Sequence, residues 1–433
     1  MGLWGGRRQT GGYVLRIPVR DPRYKWVILG MATLAVFGAL GLARFSYTAI
    51  LPSMQKGLGF DNTHAGALAT VNLVGYLLLA LVGGALASRF GSRVVIAIGL
   101  VAAGVGMLLT GFAGSFVSAA AGRGITGLGT AASNVPATAM VALWFAPRRR
   151  GLATGVVVGG ASLGLVMVGL VVPRILAAYG ADGWRVCWYI FGAGAILLGL
   201  ICYLALRSRP YAPALMAEPT KRPSLPWKKL YLSPSVWHLG VVFFAFGFAY
   251  LSYMTFFNKR LIADLGYTQQ AAGNLFMILG WSSLPCGVIW GHVSDVIGRR
   301  RALSIVLVLQ AGAYALFALW PVTTGLTLSA VLFGITAWSV PTIMAAACGD
   351  KFGSALAPAA FGFLTVFHGL GQAVGPSVAG SMADHFGTFT PSYLLAAGVA
   401  FIGGMIALTL RPIVVCSTEM EVGPEPGRAL PPG

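Results

Sequence analysis

Twelve long apolar runs make up most of this sequence, and they constrain its fold more than any other feature. Each run has roughly 20 residues or more, enough for an α-helix to cross about 30 Å of hydrocarbon. A polar, proline-rich stretch, 207–233, separates the first six runs from the last six. The runs occupy approximately residues 26–52, 65–88, 93–113, 115–143, 151–175, 184–206, 234–258, 271–291, 301–320, 323–348, 356–383 and 390–411.

The composition indicates that the runs face lipid. Of the 433 residues, 57% are hydrophobic and 9% are charged, whereas soluble domains contain about 25% charged residues. So few charges could not cover the surface of a soluble protein of this length. The five cysteines have no paired spacing and form no metal motif, so neither a disulfide framework nor a metal or other cofactor is expected. The sequence therefore predicts an all-α polytopic membrane protein.

An internal repeat of 207 residues relates the two sets of runs. The segment from Gly84 to Gly91 returns as Gly291 to Gly298, and Gly164 returns as Gly371. A period shared by several segments indicates a duplicated structural unit. The predicted organisation is a tail (1–25), a six-helix bundle (26–206), a linker (207–233), a second six-helix bundle (234–411) and a second tail (412–433).

The lysines and arginines predict the orientation of the chain. With the N-terminus inside, 23 of the 30 lie in inner segments and five in outer loops. This asymmetry is the positive-inside signal of a plasma-membrane protein, or of an inner-membrane protein if the source is bacterial. It predicts that both tails and the linker are cytoplasmic, and it explains the net charge of +19 without a nucleic-acid partner. The five residues assigned to outer loops are Lys56, Arg174, Arg185, Lys259 and Arg260.

Several motifs resemble those of the major facilitator superfamily of secondary transporters, over residues 26–411. The segment from Gly291 to Arg301 is similar to the signature loop between the second and third helices of each half, and Gly122 to Gly129 resembles the fourth-helix arginine motif. Arg44-Phe-Ser-Tyr47 resembles a poorly characterised bacterial branch, and the glycines and proline of the eleventh run resemble monocarboxylate and oxalate–formate carriers.

The resemblance implies twelve helices in two bundles, which alternately open a midplane site to either side of the membrane. It also implies a monomer that carries a small molecule, without enzymatic activity. The resemblance implies that the signature loops act as cytoplasmic latches between the two bundles. Ser88 replaces the acid of the first signature loop, so the latch of the first half is expected to be weaker. The alternative is that these basic loops serve only to set the topology. The latch residues that the resemblance implies are Gly84, Arg89, Gly91, Arg93, Gly291, Asp295, Gly298 and Arg299.

Two arginines, Arg44 and Arg123, fall inside apolar runs, whereas no carboxylate lies at mid-membrane. Charges in such positions are expensive and are usually functional. The repeat places Tyr250 and Ala330 at the equivalent positions, so the scaffold does not require the arginines. Guanidinium groups that face a cavity favour an anion such as a carboxylate. Neutralisation of each arginine by backbone carbonyls is the alternative.

Other polar side chains extend this set of candidates. Tyr47 shares the helical face of Arg44, and Asn134 shares that of Arg123; Tyr250 and Tyr253 are the second-half tyrosines. His368 and Gln372 lie on one face of the eleventh run. His368 is the mid-membrane residue that titrates near neutral pH, which makes it the candidate for proton coupling. Ordinary interhelical hydrogen bonding is the alternative for each.

The leading hypothesis is a secondary transporter, either symporter or antiporter, of a small organic anion such as a monocarboxylate. Proton coupling, the substrate and the direction of transport are open at this stage. The rival hypotheses are a multidrug or neutral-solute efflux carrier and a non-transporting membrane sensor on the same fold. The sequence contains neither a phosphate-binding loop for ATP nor a nucleophile–base constellation, so an ATP-driven pump and an enzyme are disfavoured.

Overall fold

The structure, a computed structural model, describes residues 23–145, 147–208 and 233–410. The C-terminal tail and most of the predicted N-terminal tail and linker lie outside these residues. Every regular element within the described ranges is helical, and none is a strand. The prediction of an all-α fold is therefore confirmed.

Twelve helices follow one another along the described chain, in the order of the predicted runs. Eight segments are long and apolar enough to cross a membrane, and the two parts of the bent α8 make a ninth. One of the eight, Gly151–Ala205, includes most of α5 and all of α6. The first half contains α1 (Tyr24–Leu58), α2 (Asn62–Phe90), α3 (Ser92–Gly111), α4 (Phe116–Trp144), α5 (Pro147–Tyr179) and α6 (Gly183–Ala205). The second half contains α7 (Pro234–Ala263), α8 (Gln269–Ser283 and Cys286–Ile297), α9 (Arg299–Leu319), α10 (Thr323–Gly334), α11 (Ser339–Phe386) and α12 (Thr390–Leu408).

Prolines explain where the helices of the second half depart from the predicted runs. The two parts of α8 are bent by 44° at Pro285, whose ring removes a backbone N–H from the hydrogen-bond ladder. Pro341 lies in the first turn of α11, where a missing N–H costs nothing. The tenth span, Thr323–Phe352, therefore consists of α10 and the start of α11. With 48 residues, α11 continues beyond this span and also includes the whole eleventh run.

The repeated glycines have the same packing role in both halves. Gly164 of α5 faces Gly41 of α1, and a Cβ atom added to Gly41 would lie 2.6 Å from the Cα atom of Gly164. Gly371, the repeat partner of Gly164, brings α11 equally close to α7, since a Cβ atom there would clash with the carbonyl oxygen of Phe244. The repeat read from the sequence is thus a repeat of helix contacts.

The five basic residues assigned to outer loops, Lys56, Arg174, Arg185, Lys259 and Arg260, all lie within helices, so that prediction is wrong. Arg260 departs furthest from it. The residue lies on α7, which continues to Ala263, and its side chain is almost completely buried. Its guanidinium donates hydrogen bonds to Thr390 Oγ1 and to the Ala318 carbonyl, each at 2.9 Å, and lies 3.9 Å from Asp264. These partners offset the buried charge, so the helix extends beyond the end of the apolar run.

The two halves are joined at one end of the molecule by a carboxylate. Asp384, near the end of α11, accepts hydrogen bonds from the backbone N–H and the side-chain amide of Asn62, at 3.1 and 2.8 Å. It also accepts hydrogen bonds from the backbone N–H and the hydroxyl of Thr63, at 2.7 and 2.6 Å. Asn62 and Thr63 are the first residues of α2, where unpaired N–H groups and the helix dipole favour a negative charge. We refer to Asp384, Asn62 and Thr63 as the Asp384 clamp.

Asp61, which precedes the clamp, caps the N-terminus of the same helix. Its side chain accepts a hydrogen bond from the backbone N–H of His64 at 2.8 Å. This hydrogen bond holds the pKa of the Asp61 carboxyl below its usual value. The start of α2 is therefore fixed both by its own half and by the opposite half.

Candidate substrate site between the two halves

A small cavity lies between the two halves, at the level of Arg44 and Arg123. Three helices of the first half and one of the second contribute to its wall. The cavity is therefore formed only when the halves are brought together. Its lining residues are Arg44, Phe45, Tyr47, Thr48, Ala69, Asn72, Arg123, Leu251, Met254 and Thr255.

Arg44 is held at the end of an unusual stretch of α1. Residues Phe37–Phe45 form a π-helix, a rare conformation that is frequent at functional sites. The half-buried guanidinium makes one hydrogen bond to a described residue, from Nη2 to Gln372 Oε1 at 2.9 Å. Its Cζ atom also lies 5.6 Å from the ring centre of Tyr76. The partner that engages Arg44 is thus a neutral amide from the opposite half.

Arg123 is more deeply buried, and its side chain is 1% exposed. Its Nη1 atom donates a hydrogen bond to the carbonyl oxygen of Ala43 at 2.9 Å, whereas its Nε atom has no partner. The guanidinium lies over the rings of Tyr47 and Trp188, at 4.8 and 5.2 Å. Backbone and aromatic groups therefore offset part of this charge. No carboxylate of residues 23–145, 147–208 or 233–410 forms an ion pair with either Arg44 or Arg123.

Gln372 connects Arg44 to His368. The Gln372 Nε2 atom lies 2.9 Å from His368 Nε2, one helical turn earlier on α11. The His368 ring is stacked on Phe243 and Phe246 of α7, with ring centres 4.4 and 5.2 Å away. The structure thus brings together an arginine from the first half with the amide and the imidazole that the sequence placed on one face of the eleventh run.

The candidate tyrosines have different surroundings. The Tyr47 hydroxyl donates a hydrogen bond to the Ala65 carbonyl at 2.7 Å, so its ring lines the cavity while its hydroxyl is engaged. The Tyr253 hydroxyl bonds to Ser329 Oγ at 2.9 Å, inside the second half. Tyr250 stacks on Phe246, which also contacts the His368 ring. Tyr250 is therefore closer to the Arg44–His368 connection than Tyr253 is.

Asn134 reaches the site through a residue that the sequence analysis did not select. Its side-chain amide donates a hydrogen bond to the hydroxyl of Tyr76 at 3.1 Å, and Tyr76 is the ring that faces Arg44. Tyr76 lies four residues after Asn72, which lines the cavity, so the two share a helical face. That spacing was the available signal for Tyr76.

The second signature loop is held together within its own half. Arg299 pairs with Asp295 at 2.5 Å and with Asp350 at 2.8 Å, and donates a hydrogen bond to Ser294 Oγ at 2.6 Å. Asp350, near the end of the tenth span, was not among the predicted latch residues. Gly298 has a φ of +87°, which strongly favours glycine.

The first signature loop has the same backbone but different partners. Gly91 also has a φ of +87°, as its repeat partner does. The Arg93 guanidinium lies 4.4 Å from the ring centre of Tyr203, and its backbone N–H donates to Ser208 Oγ at 3.2 Å. Arg89 is exposed. Gly84 and Gly291 lie on α2 and on the second part of α8, so every latch candidate lies at the same end of its half.

Comparisons with known proteins agree with this architecture. The family described as "Uncharacterised MFS-type transporter YbfB" matches residues 36–408. The chain is 24% identical to a hexuronate transporter of Bacillus subtilis (strain 168), over 91% of this chain and 97% of that protein. It is 25% identical to monocarboxylate transporter 11 of Homo sapiens, over 81% and 76% of the two chains.

A crystal structure of a D-xylose–proton symporter has the same fold. Its TM-score is 0.73 at 17% identity, and the match covers 90% of this chain and 98% of that one. The resemblance read from the sequence motifs is therefore confirmed, and the prediction that the protein is not an enzyme agrees with it. The chain belongs to the major facilitator superfamily, in the family of MFS-type transporters described by YbfB.

Proposed function

We propose that the protein transports a small organic anion, with a carboxylate as the recognised group, by alternating access. The observation that carries this proposal is the pair of guanidiniums lining one cavity between the halves. A buried cation without an anionic partner costs several kcal/mol. A substrate carboxylate that enters the cavity would offset this cost and could bind the arginine fork through two hydrogen bonds.

The relatives support a substrate with an acidic group. The two relatives named above are described as carriers of hexuronates and of monocarboxylates, and both classes contain a carboxylate.

The inter-half contacts support an alternating-access cycle. The Asp384 clamp closes one end of the molecule, whereas Arg299 of the signature loop pairs within its own half at the other end. With the orientation predicted from the positive charges, the closed end is outside. We assign this arrangement to the inward-open side of the cycle, in which the substrate exchanges with the cytoplasm.

The test is a binding screen in which charge is the variable. Purified protein is titrated calorimetrically with galacturonate and galactose, and with lactate and lactamide. Each pair compares a carboxylate with an uncharged counterpart of similar shape. The proposal requires that at least one acid binds and that its counterpart does not. Equal binding within both pairs would favour a neutral-solute carrier, and no binding of either acid would count against the proposal.

Variants of Arg44 then test whether this residue binds the substrate carboxylate. Arg44→Lys keeps the charge but loses the bidentate fork, so the acid should bind more weakly by about 1–3 kcal/mol, or roughly five- to 150-fold. Arg44→Gln should weaken binding further without lowering the melting temperature, because it removes a poorly paired buried charge. Arg174→Gln is the matched control, since Arg174 is an exposed arginine of α5. A destabilised Arg44→Gln variant with intact affinity would identify a structural arginine instead.

A further inference from the structure

The hydrogen bonds between Arg44, Gln372 and His368 determine which atoms carry protons. Arginine has donors only, so the Gln372 oxygen must be the atom that faces Arg44. The Gln372 amide nitrogen is then the atom that faces His368 Nε2, at 2.9 Å. Since that nitrogen donates, His368 Nε2 must accept and can carry no proton. This assignment follows from the donors and acceptors that the three groups possess.

His368 is therefore held neutral as long as Arg44 holds Gln372. A protonated imidazole would place an N–H group against the N–H of the amide. The other groups around the ring do not provide a counter-charge. Phe243 and Phe246 cover its faces from α7, with Tyr250 stacked beyond Phe246. Among the described residues, the charged group nearby is the Arg44 guanidinium itself, which repels a second positive charge.

We propose that Gln372 couples anion binding to the protonation of His368. This inference rests on the proposed function. A substrate anion that binds Arg44 takes over the guanidinium donors and releases the Gln372 oxygen. The side-chain amide can then rotate by about 180° about its last torsion, which is a soft degree of freedom. In the rotated amide the oxygen faces His368 and accepts a hydrogen bond from a protonated Nε2.

The step is balanced in protons and charge. His368 takes one proton from water, and the bound anion offsets the positive charge of Arg44. One proton therefore enters with each singly charged anion, and the pair crosses the membrane without net charge. Gln372 is a positioning residue in this scheme, because it neither carries the proton nor needs to contact the anion.

The first experiment measures how anion affinity depends on pH. If binding takes up one proton, the Kd for galacturonate should rise about tenfold per pH unit between the pH at which free His368 loses its proton and the higher pH at which bound His368 loses it. In His368→Phe and Gln372→Met this slope should fall to near zero. Gln372→Met should bind at alkaline pH at least as tightly as the wild type, because the anion no longer competes with the amide. A merely structural residue would instead weaken binding at every pH.

His238→Phe is the matched control for the histidine. His238 is half-buried on α7 and is hydrogen-bonded to the Ile406 carbonyl at 3.0 Å, away from the cavity. This variant should keep the wild-type slope. A wild-type Kd that is independent of pH, or an unchanged slope in both Gln372→Met and His368→Phe, would overturn the coupling proposal while leaving anion transport intact.

The second experiment needs no substrate and so separates this proposal from the proposed function. Histidine side chains are labelled with ¹³C, and the His368 signal is assigned by its loss in His368→Phe. In the wild type without anion, the signal should report a neutral ring from pH 8 to about 5, whereas free histidine titrates near 6.5. In Arg44→Gln, the freed amide should allow protonation within that range. Protonation of His368 in the wild type at the same pH as in Arg44→Gln would overturn the proposed coupling through Gln372.

Discussion

The Asp384 clamp allows a quantitative prediction about the conformational equilibrium. Asp384→Asn keeps the shape of the side chain but replaces one acceptor oxygen with a donor NH₂ group. Of the four hydrogen bonds to the start of α2, at 2.6–3.1 Å, the two on that side are lost or weakened. The attraction between the carboxylate and the helix N-terminus is lost as well.

The magnitude follows from these losses. Hydrogen bonds to a charged group contribute about 1.5–3 kcal/mol when they are well shielded, but Asp384 is exposed and water replaces much of this. The helix dipole adds about 0.3–1 kcal/mol. We expect a total of about 2 kcal/mol, which is roughly a thirtyfold change in the ratio of closed to open states at this end.

The assay is a spin-label distance measurement across the clamp. Labels are placed at Lys56 and Phe386, which are exposed on opposite halves at the closed end, in a background without native cysteines. Asp384→Asn should add a population with a longer distance. The matched control is Asp182→Asn, since Asp182 is an exposed acid that pairs with Arg185 within the first half. If Asp384→Asn leaves the distance distribution like that of the control, the clamp does not hold the halves together.

Two further predictions concern the latch and the topology. Asp350→Asn should lower the melting temperature more than Asp295→Asn, because the Asp350 side chain is 35% exposed and that of Asp295 is 61% exposed, and ion pairs weaken with exposure; equal melting temperatures would show that the two carboxylates are interchangeable. A cysteine at Ser224, in the linker that the positive charges place inside, should react with membrane-impermeant reagents only from the cytoplasmic side, and labelling from outside would reverse the predicted topology.

Most of the fold could be predicted from the sequence because the membrane imposes simple rules. Lipid allows few structures other than helices, so runs of the right length identify them. The 207-residue repeat then predicts which helix contacts recur. Gly164 and Gly371, which are repeat partners, both lie at close contacts between helices. The departures occur at Pro341, which moves the start of α11, and at Arg260, whose partners on other helices no local pattern reveals.

The residues of the candidate site could be predicted from the sequence, but the hydrogen bonds between them could not. Arg44, His368 and Gln372 are recognisable because polar residues are rare inside apolar runs. Their order along a hydrogen-bonded path is not recognisable, since Arg44 and Gln372 are 328 residues apart. Tyr76 gave a weak signal because an aromatic ring is common in an apolar helix. The repeat makes Tyr253 the counterpart of Tyr47. However, the Tyr253 hydroxyl is hydrogen-bonded to Ser329 of α10, inside the second half.

The connection between Arg44 and Gln372 also has a consequence for the transport cycle. It is a hydrogen bond between the halves, as are the bond from Thr48 to the Met254 carbonyl at 2.8 Å and the Asp384 clamp. An anion that takes Arg44 away from Gln372 therefore removes one inter-half bond at mid-membrane while it lowers the electrostatic cost of closing the cavity. In the proposed mechanism, substrate occupancy and conformation are coupled through the same guanidinium. The energy available for this coupling is limited to the difference in anion affinity between the two states, so Arg44→Lys should weaken conformational coupling together with binding.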